Sequence, residues 1–265
     1  MTETATGSQD LGDGLPVVDP DACPATELAP GVAARAVLEP HQDSPLTLGQ
    51  VQLEAGARWR LTPEQHRGDR HLLVYVLRGA CTLDRDGEPP LRLRPGSAFL
   101  REPGDGSATI VAGDRVATLA VFGAGPTADH HAPLGPRDSV TELNLDDAAA
   151  ATGSRSFRVL LGPENGCCRA TMFVGVVPGG AAPWHFHQYD EIIYVLRGEG
   201  VYHQASGPQP TGPGSVVRIP PRTVHINENR AAEEMHVLGV FTPAGSPSAA
   251  FLAAPPTSGA DAPTR

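Results

Sequence analysis

Four side chains in the last third of this chain, His185, His187, Glu191 and His225, have the types and spacing to hold a divalent cation. They sit in two linked patterns, Gly179–His185–His187–Glu191–Gly198 and Gly214–Pro220–His225–Asn229, separated by a short spacer between Gly198 and Gly214. Three imidazoles and one carboxylate are borderline-to-hard ligands suited to a first-row divalent metal. Residues two apart on an extended strand point to the same face, so His185 and His187 should project together. Glu191 would follow on the next strand, past the short bend offered by Gln188-Tyr189-Asp190. His225 must arrive from another hairpin, after the Pro220-Pro221 corner. The expectation is a metal site inside a small β-barrel. One histidine on a strand is more often a satisfied or surface residue, but two patterns in register are a much more specific signal.

The stretches GGAAPWHFHQYDEIIYVLRG and GSVVRIPPRTVHINEN resemble, in residue type and spacing, the two signature motifs of the cupin superfamily. One position departs: Arg222 stands where that family often has Gly, at a turn and not at a ligand. The resemblance is strong over the last two fifths of the chain and holds for the first half only by shape. It implies an all-β fold of two tandem cupin-type jelly-roll barrels, with the metal ligands His185, His187, Glu191 and His225.

The elements that must position these residues leave other marks. With 30 Gly and 27 Pro in 265 residues, the chain carries the turn formers that many short strands require. It also repeats itself: VYVLRG at 74–79 matches IYVLRG at 193–198, RAVLEP at 35–40 matches RVLLGP at 158–163, and RPGSAFL at 94–100 matches GPGSVVR at 212–218. Three matched segments in the same order argue for duplicated domains. The expected boundaries are a flexible segment at 1–29, a metal-less barrel at 30–123, a linker at 124–152, a metal-holding barrel at 153–245 and a tail at 246–265. Within the linker, DSVTELNLDDAAAA should supply a short strand or one helical turn.

The two copies differ where chemistry is concerned. Alignment puts Leu72 in the place of Glu191 and Ser107 in the place of His225. The histidine pair falls on Thr62 and Glu64 or on His66 and Gly68, and neither option restores a paired set. His66 and His71 remain single histidines, and His130 and His131 read as solvated linker residues. In the second copy, strand parity puts Asn227 and Asn229 on the face of His225, and Ile193 and Val195 on the face of Glu191. Asn227 is thus a candidate hydrogen-bond partner for substrate or for metal-bound water, or else a turn-forming residue. Tyr194 and Arg197 are expected to face outward. Arg218 and Arg222 flank the His225 corner and read either as surface ion pairs or as carboxylate anchors. Trp184 and Phe186 should serve sheet or dimer packing.

Composition excludes several chemistries. All 20 basic residues are arginine, so a lysine Schiff base, a pyridoxal-phosphate linkage and a P-loop lysine are ruled out. Net charge of −10 disfavours binding to nucleic acid or an anionic membrane. The opening MTETATGSQDLGDG lacks a basic start and an apolar stretch, and no run approaches the roughly 18 apolar residues of a membrane span. A cytoplasmic protein is expected. Cys23, Cys81, Cys167 and Cys168 match no zinc spacing and read as buried or idle thiols. No nucleotide or haem motif signals a second redox cofactor.

Three histidines and a carboxylate leave two positions open on an octahedral ion. One ion per chain is expected, Fe(II) first, with Mn, Zn, Ni or Co also compatible. Glu191 and Asn227 are the candidate catalytic residues. The leading expectation is a metal-dependent oxygenase acting on a small organic metabolite. Lewis-acid isomerase, cyclase, lyase or decarboxylase chemistry is the alternative on the same ligands, and a non-catalytic metabolite-binding barrel is the third reading. Monomer and homodimer both remain open.

Overall fold

The computed structural model describes residues 15–40, 44–62, 69–127, 132–151 and 153–255. The first half contributes β1 (Ala25–Ala29), β2 (Val32–Leu38), β3 (Leu46–Leu53), β4 (Arg58–Leu61), β5 (His71–Arg78), β6 (Cys81–Arg85), β7 (Leu91–Leu93), β8 (Ser97–Arg101), β9 (Ala108–Ala112), β10 (Ala117–Ala124) and β11 (Thr141–Glu142). The second half contributes β12 (Ala149–Ala150), β13 (Ser156–Leu161), β14 (Thr171–Val177), β15 (Gly180–Ala181), β16 (His185–Phe186), β17 (Asp190–Arg197), β18 (Gly200–Gln204), β19 (Gly207–Thr211), β20 (Val216–Ile219), β21 (Ile226–Asn229), β22 (Met235–Thr242) and β23 (Phe251–Leu252). Each half is a jelly-roll barrel of two facing sheets. The larger sheets share one order, β2-β3-β10-β5-β8 and β13-β14-β22-β17-β20, and the smaller ones another, β4-β9-β6-β7 and β15-β21-β18-β19. The duplication expected from the repeats is therefore present strand for strand.

The repeated LRG ends β5 and β17 for one steric reason. Gly79 and Gly198 have φ of 71° and 87°. A Cβ on Gly79 would lie 2.2 Å from the Val116 carbonyl oxygen, and one on Gly198 would lie 2.7 Å from Met235 Cα. Only glycine combines that conformation with that approach.

Alternation along β5 and β17 separates two kinds of core. Val74 and Val76 point into the first barrel, where they pack with Trp59, Phe99 and Ile110. Ile193 and Val195 point into the second, with Tyr202, Val217 and Val237. The opposite faces are buried too: Leu73, Tyr75 and Phe122 pack directly against Met172, Ile192, Tyr194 and Leu238 of the other half. Tyr194, expected to face outward, does leave its own barrel but lands in this shared core. Arg197 is exposed, 3.7 Å from Glu233, although it has the same parity as Glu191. A register shift between Val195 and Arg197 turns it away.

Both ends of the described chain carry more structure than their compositions suggested. Val18 exchanges backbone hydrogen bonds of 2.8 and 2.9 Å with Val216 on β20. β1 pairs with β2, so residues from 15 onward within the expected flexible segment 1–29 are tied down. The tail supplies β23, which pairs with β16 through His185↔Leu252 and Phe186↔Phe251. Edge strands offer unpaired backbone groups, and these short segments complete them. Two-residue strands have no periodicity to read. In the connector, β11 joins β8, residues Leu145–Asp147 form a 3-10 turn capped by Asn144, and β12 joins β13. No helix is long and apolar enough to cross a membrane among the described residues.

Candidate metal centre

His185 lies on β16, and its backbone pairs with that of His225 through hydrogen bonds of 3.2 and 2.9 Å. This bridge brings the two motifs side by side. His187 follows beyond Phe186, and the Arg222 amide holds the His187 carbonyl at 2.7 Å. Arg222 sits at φ 65°, the one positive-φ non-glycine among the described residues. The departure from glycine noted in the sequence thus falls on a left-handed turn, which Arg222 tolerates at a steric cost while its Nε donates to Gln188 Oε1 at 3.1 Å. Glu191 enters from β17.

The candidate ligand nitrogens of His185, His187 and His225 lie within 4.8 Å of one another, all buried. Metal–nitrogen bonds of about 2.0–2.1 Å place two nitrogens on one ion roughly 3–4 Å apart, so the triad is at or near ligation geometry. Glu191 is not part of that three-way group, but its Oε2 lies 2.8 Å from His187 Nε2.

The tautomers are set by the backbone. His185 Nδ1 donates to the Pro183 carbonyl and His225 Nδ1 to the Thr223 carbonyl, each at 2.9 Å. The protons are thereby held on Nδ1 and the Nε2 lone pairs are left facing the centre. Burial lowers His185 to about 4, and burial with the neighbouring histidines lowers His225 well below the usual histidine value. Both rings are neutral near pH 7, as metal ligands must be. His187 stacks on Tyr189 at 4.2 Å between ring centres, and Tyr189 in turn stacks on Phe241 at 4.0 Å. Its buried Nδ1 has no hydrogen-bond partner among the described residues. The donor set therefore suits a divalent ion: two fixed imidazole lone pairs, a third imidazole beside them and an adjacent carboxylate.

The centre opens into a small cavity of about 70 Å³. Asn227 and Ile193 line it, as parity suggested, while Asn229 is committed to structure, donating to the carbonyls of Val177 at 2.9 Å and Glu233 at 2.7 Å. Three contributors were missed in the sequence: Arg155, Tyr189 and Gly239. A Cβ on Gly239 would lie 2.3 Å from Phe173 and 3.1 Å from Glu191 Oε1, so its bareness makes room for both. Tyr189 has the same alternate spacing as His185 and His187, a signal that could have found it. Arg155 and Gly239 have none, because each comes from a part of the chain outside the two motifs.

Other candidates lie elsewhere. Arg218, read as a surface ion pair or substrate anchor, is buried between the barrels and donates to the Leu46 carbonyl at 2.7 Å. Trp184 meets His203 edge-on at 6.1 Å, and Phe186 stacks on Phe251 at 5.3 Å, so both pack within the chain. The cysteines are free, and burial raises the Cys81 and Cys167 thiols to about 11 and 12.

In the first barrel, sheet register places Ala108 opposite Arg85 as His225 would stand opposite Gln204, and Leu61 pairs with Ala108 as His185 pairs with His225. Ala108, not Ser107, therefore stands at the His225 position, a slip of one position from the sequence alignment. Leu61, Leu72 and Ala108 offer no ligand. His71 is buried beside Glu102, with Nε2 3.7 Å from its carboxylate, and lies outside the pocket. Glu64, His66, Gly68, His130 and His131 fall outside the described residues.

Comparison with known proteins follows the same division. Residues 172–241 match the family model described as Cupin domain, and residues 47–123 match the one described as AraC-like ligand binding domain. No curated protein matches the chain. Among solved structures, the oxalate decarboxylase of Lactobacillus farciminis, in a formate complex, is 14% identical with a TM-score of 0.68, over 92% of this chain and 91% of that one. AerE from Microcystis aeruginosa is 14% identical with a TM-score of 0.67, over 87% and 99%. The putative glyoxylate induced protein of Pseudomonas aeruginosa is 13% identical with a TM-score of 0.68, over 91% and 90%.

Proposed function

From the premise that this chain folds as two tandem cupin barrels, we propose that the C-terminal barrel is a metal-dependent enzyme acting on a small organic metabolite. His185, His187, Glu191 and His225 would hold one divalent ion. The observation that carries this reading is the pair of backbone-fixed tautomers, which leave two neutral Nε2 lone pairs aimed at one buried point beside His187 and Glu191. When bound, the ion supplies a Lewis acid with open positions and, if it is iron, redox chemistry with dioxygen. Glu191 either stays a ligand or accepts a proton from substrate, and its contact with His187 gives that proton a neighbour. Asn227 would orient a substrate oxygen from the pocket wall, while Ile193, Phe173 and Val237 exclude water.

Fe(II)-dependent oxygenation is our leading reaction class. Lewis-acid chemistry such as decarboxylation is favoured by a different observation, the fold shared with oxalate decarboxylases, one of which, from Bacillus subtilis, has Mn(II) centres. The AraC-like ligand binding match of the first barrel supports a third reading, a metabolite-binding protein without catalysis. Elemental analysis of the purified protein, followed by oxygen-electrode assays on Fe(II)-loaded protein with catechols, hydroxy acids and keto acids, separates the three. Oxygen uptake supports the oxygenase. Tightly held Mn or Zn with substrate turnover but no uptake supports Lewis-acid chemistry. Ligand binding undiminished after chelation would sink the metal enzyme.

A further inference from the structure

We propose that the cleft where the two barrels meet is a second ligand site, which takes a small organic dianion gripped by Arg78 of the first barrel and Arg197 of the second. This site is separate from the metal centre and does not depend on it.

The duplication of the chain builds this cleft. Its volume is about 250 Å³, near the lower edge of the roughly 300–1,000 Å³ usual for small-ligand pockets. Both repeats line it in matched pairs. Tyr75 with Tyr194 and Arg78 with Arg197 hold the same places in VYVLRG and IYVLRG, as Gly96 and Gly214 do in RPGSAFL and GPGSVVR. The pairs agree in conformation as well. Gly96 and Gly214 both have φ of 96°, and their amides donate to the carbonyls of Val76 and Val195 at 3.0 and 2.9 Å. A cleft built from two copies of one surface offers one guanidinium from each barrel. That suits a ligand with an anionic group at each end, since the planar fork of arginine matches a carboxylate or a phosphate.

Two exposed arginines alone are ordinarily solvated, so the polar groups within the cleft carry the second half of the argument. Tyr75 is buried, yet its hydroxyl makes no hydrogen bond among the described residues. His236 pairs with Arg197 on the neighbouring strand, and its buried Nε2 has no hydrogen-bond partner among them either. The Glu234 carboxylate stands 3.7 Å from that nitrogen, beyond hydrogen-bond reach. Buried polar groups without partners are costly, and a bound anion would satisfy both, accepting from the tyrosine hydroxyl and from the imidazole in its Nε2–H form. No carboxylate lines the cleft among the described residues, although the chain carries a net charge of −10. Glu233 approaches Arg197 only to 3.7 Å and is 84% exposed, so a ligand displaces it at little cost. Arg78 has no ion pair among the described residues.

The test separates this cleft from the metal centre. Full-length protein is titrated calorimetrically with succinate, with 2-phosphoglycolate and with the neutral analogue succinamide. The titrations are repeated on Arg78→Gln, Arg197→Gln and His187→Ala, with a melting curve for each. Wild type is expected to bind at least one of the two dianions about tenfold more tightly than succinamide. Whichever dianion binds more tightly shows whether the site prefers two carboxylates or a phosphate group. Each arginine change should weaken that binding about tenfold, because each removes one charge-assisted contact, and His187→Ala should leave it unchanged. Both arginines are exposed, so their variants should keep the wild-type melting midpoint. If one of them does not fold, the lysine variant at that position, with charge but no fork, decides the matter by a loss of about threefold or more. Failure of both dianions to bind, binding that survives either arginine change, or binding lost in His187→Ala would overturn the proposal, the last by placing the anion at the metal centre.

Discussion

His187 shows how the centre is assembled from neighbours with separate tasks: its ring leans on Tyr189, its carbonyl receives the Arg222 amide, and its Nε2 meets Glu191. Changing His187→Ala should remove most bound metal, a loss beyond the roughly 10–100-fold typical of outer partners, while circular dichroism stays native. Full metal occupancy by elemental analysis would contradict the ligand assignment. Arg222→Gly should act the other way. Relieving a left-handed arginine is worth about 1–2 kcal/mol, reduced by the extra freedom glycine gives the unfolded chain. A net gain of about 0.5–1 kcal/mol in urea melts is expected, with metal content unchanged. His71 links stability to pH: burial first, then the Arg169 charge, lowers it from 6.5 to about 4. Above 6.5 neither state holds the proton. Between 6.5 and about 4 the unfolded chain takes it up and the folded chain does not, so stability falls with pH. His71→Leu should flatten that part of the profile in thermal melts at pH 7 and 4.5.

Strands of two residues do work here that their length does not suggest. β16 carries His185 and would be a frayed edge without β23, and Ala253 adds a 2.9 Å hydrogen bond to the Trp184 carbonyl. Pro247 and Ala250 of the same tail also line the pocket. Truncation after Gly245 should therefore leave both barrels folded, with far-ultraviolet circular dichroism preserved. Metal affinity should weaken about tenfold, since the truncation removes support and not ligands. Unchanged affinity would show that the strap is dispensable. At the opposite end, β20 is completed by Val18 in the same manner, from a segment that precedes the whole first barrel in sequence.

The two barrels share one apolar core, which joins Leu73 and Phe122 of the first to Ile192 and Leu238 of the second. Ser44 donates to Asp190 across the same boundary, and Tyr194 reaches Gln50 at 3.4 Å. Separate unfolding would expose that apolar face at once, so calorimetry of metal-free protein should show one transition. Ile192→Ala should cost about 2–4 kcal/mol and lower that single midpoint. Two resolved transitions, with only the second shifted by the variant, would show that the barrels are independent.

The sequence by itself determined the all-β class, the duplication and the chemical types that one strand face presents, because period-2 alternation and repeated segments are local properties. It also marked Arg222 as the odd residue at a turn. What only the tertiary structure decided are matters of contact between distant strands. Alternation says that Tyr194 leaves its barrel, but not that a second barrel covers it. Arg197 faces outward as expected, but the reason is a bulge that overrides the parity it shares with Glu191, and a slip of one position puts Ala108 in place of Ser107. Arg155, far ahead of His185 in sequence and beside a different strand, comes into the pocket only when the barrel closes, since closure and not spacing sets which side chains share an interior.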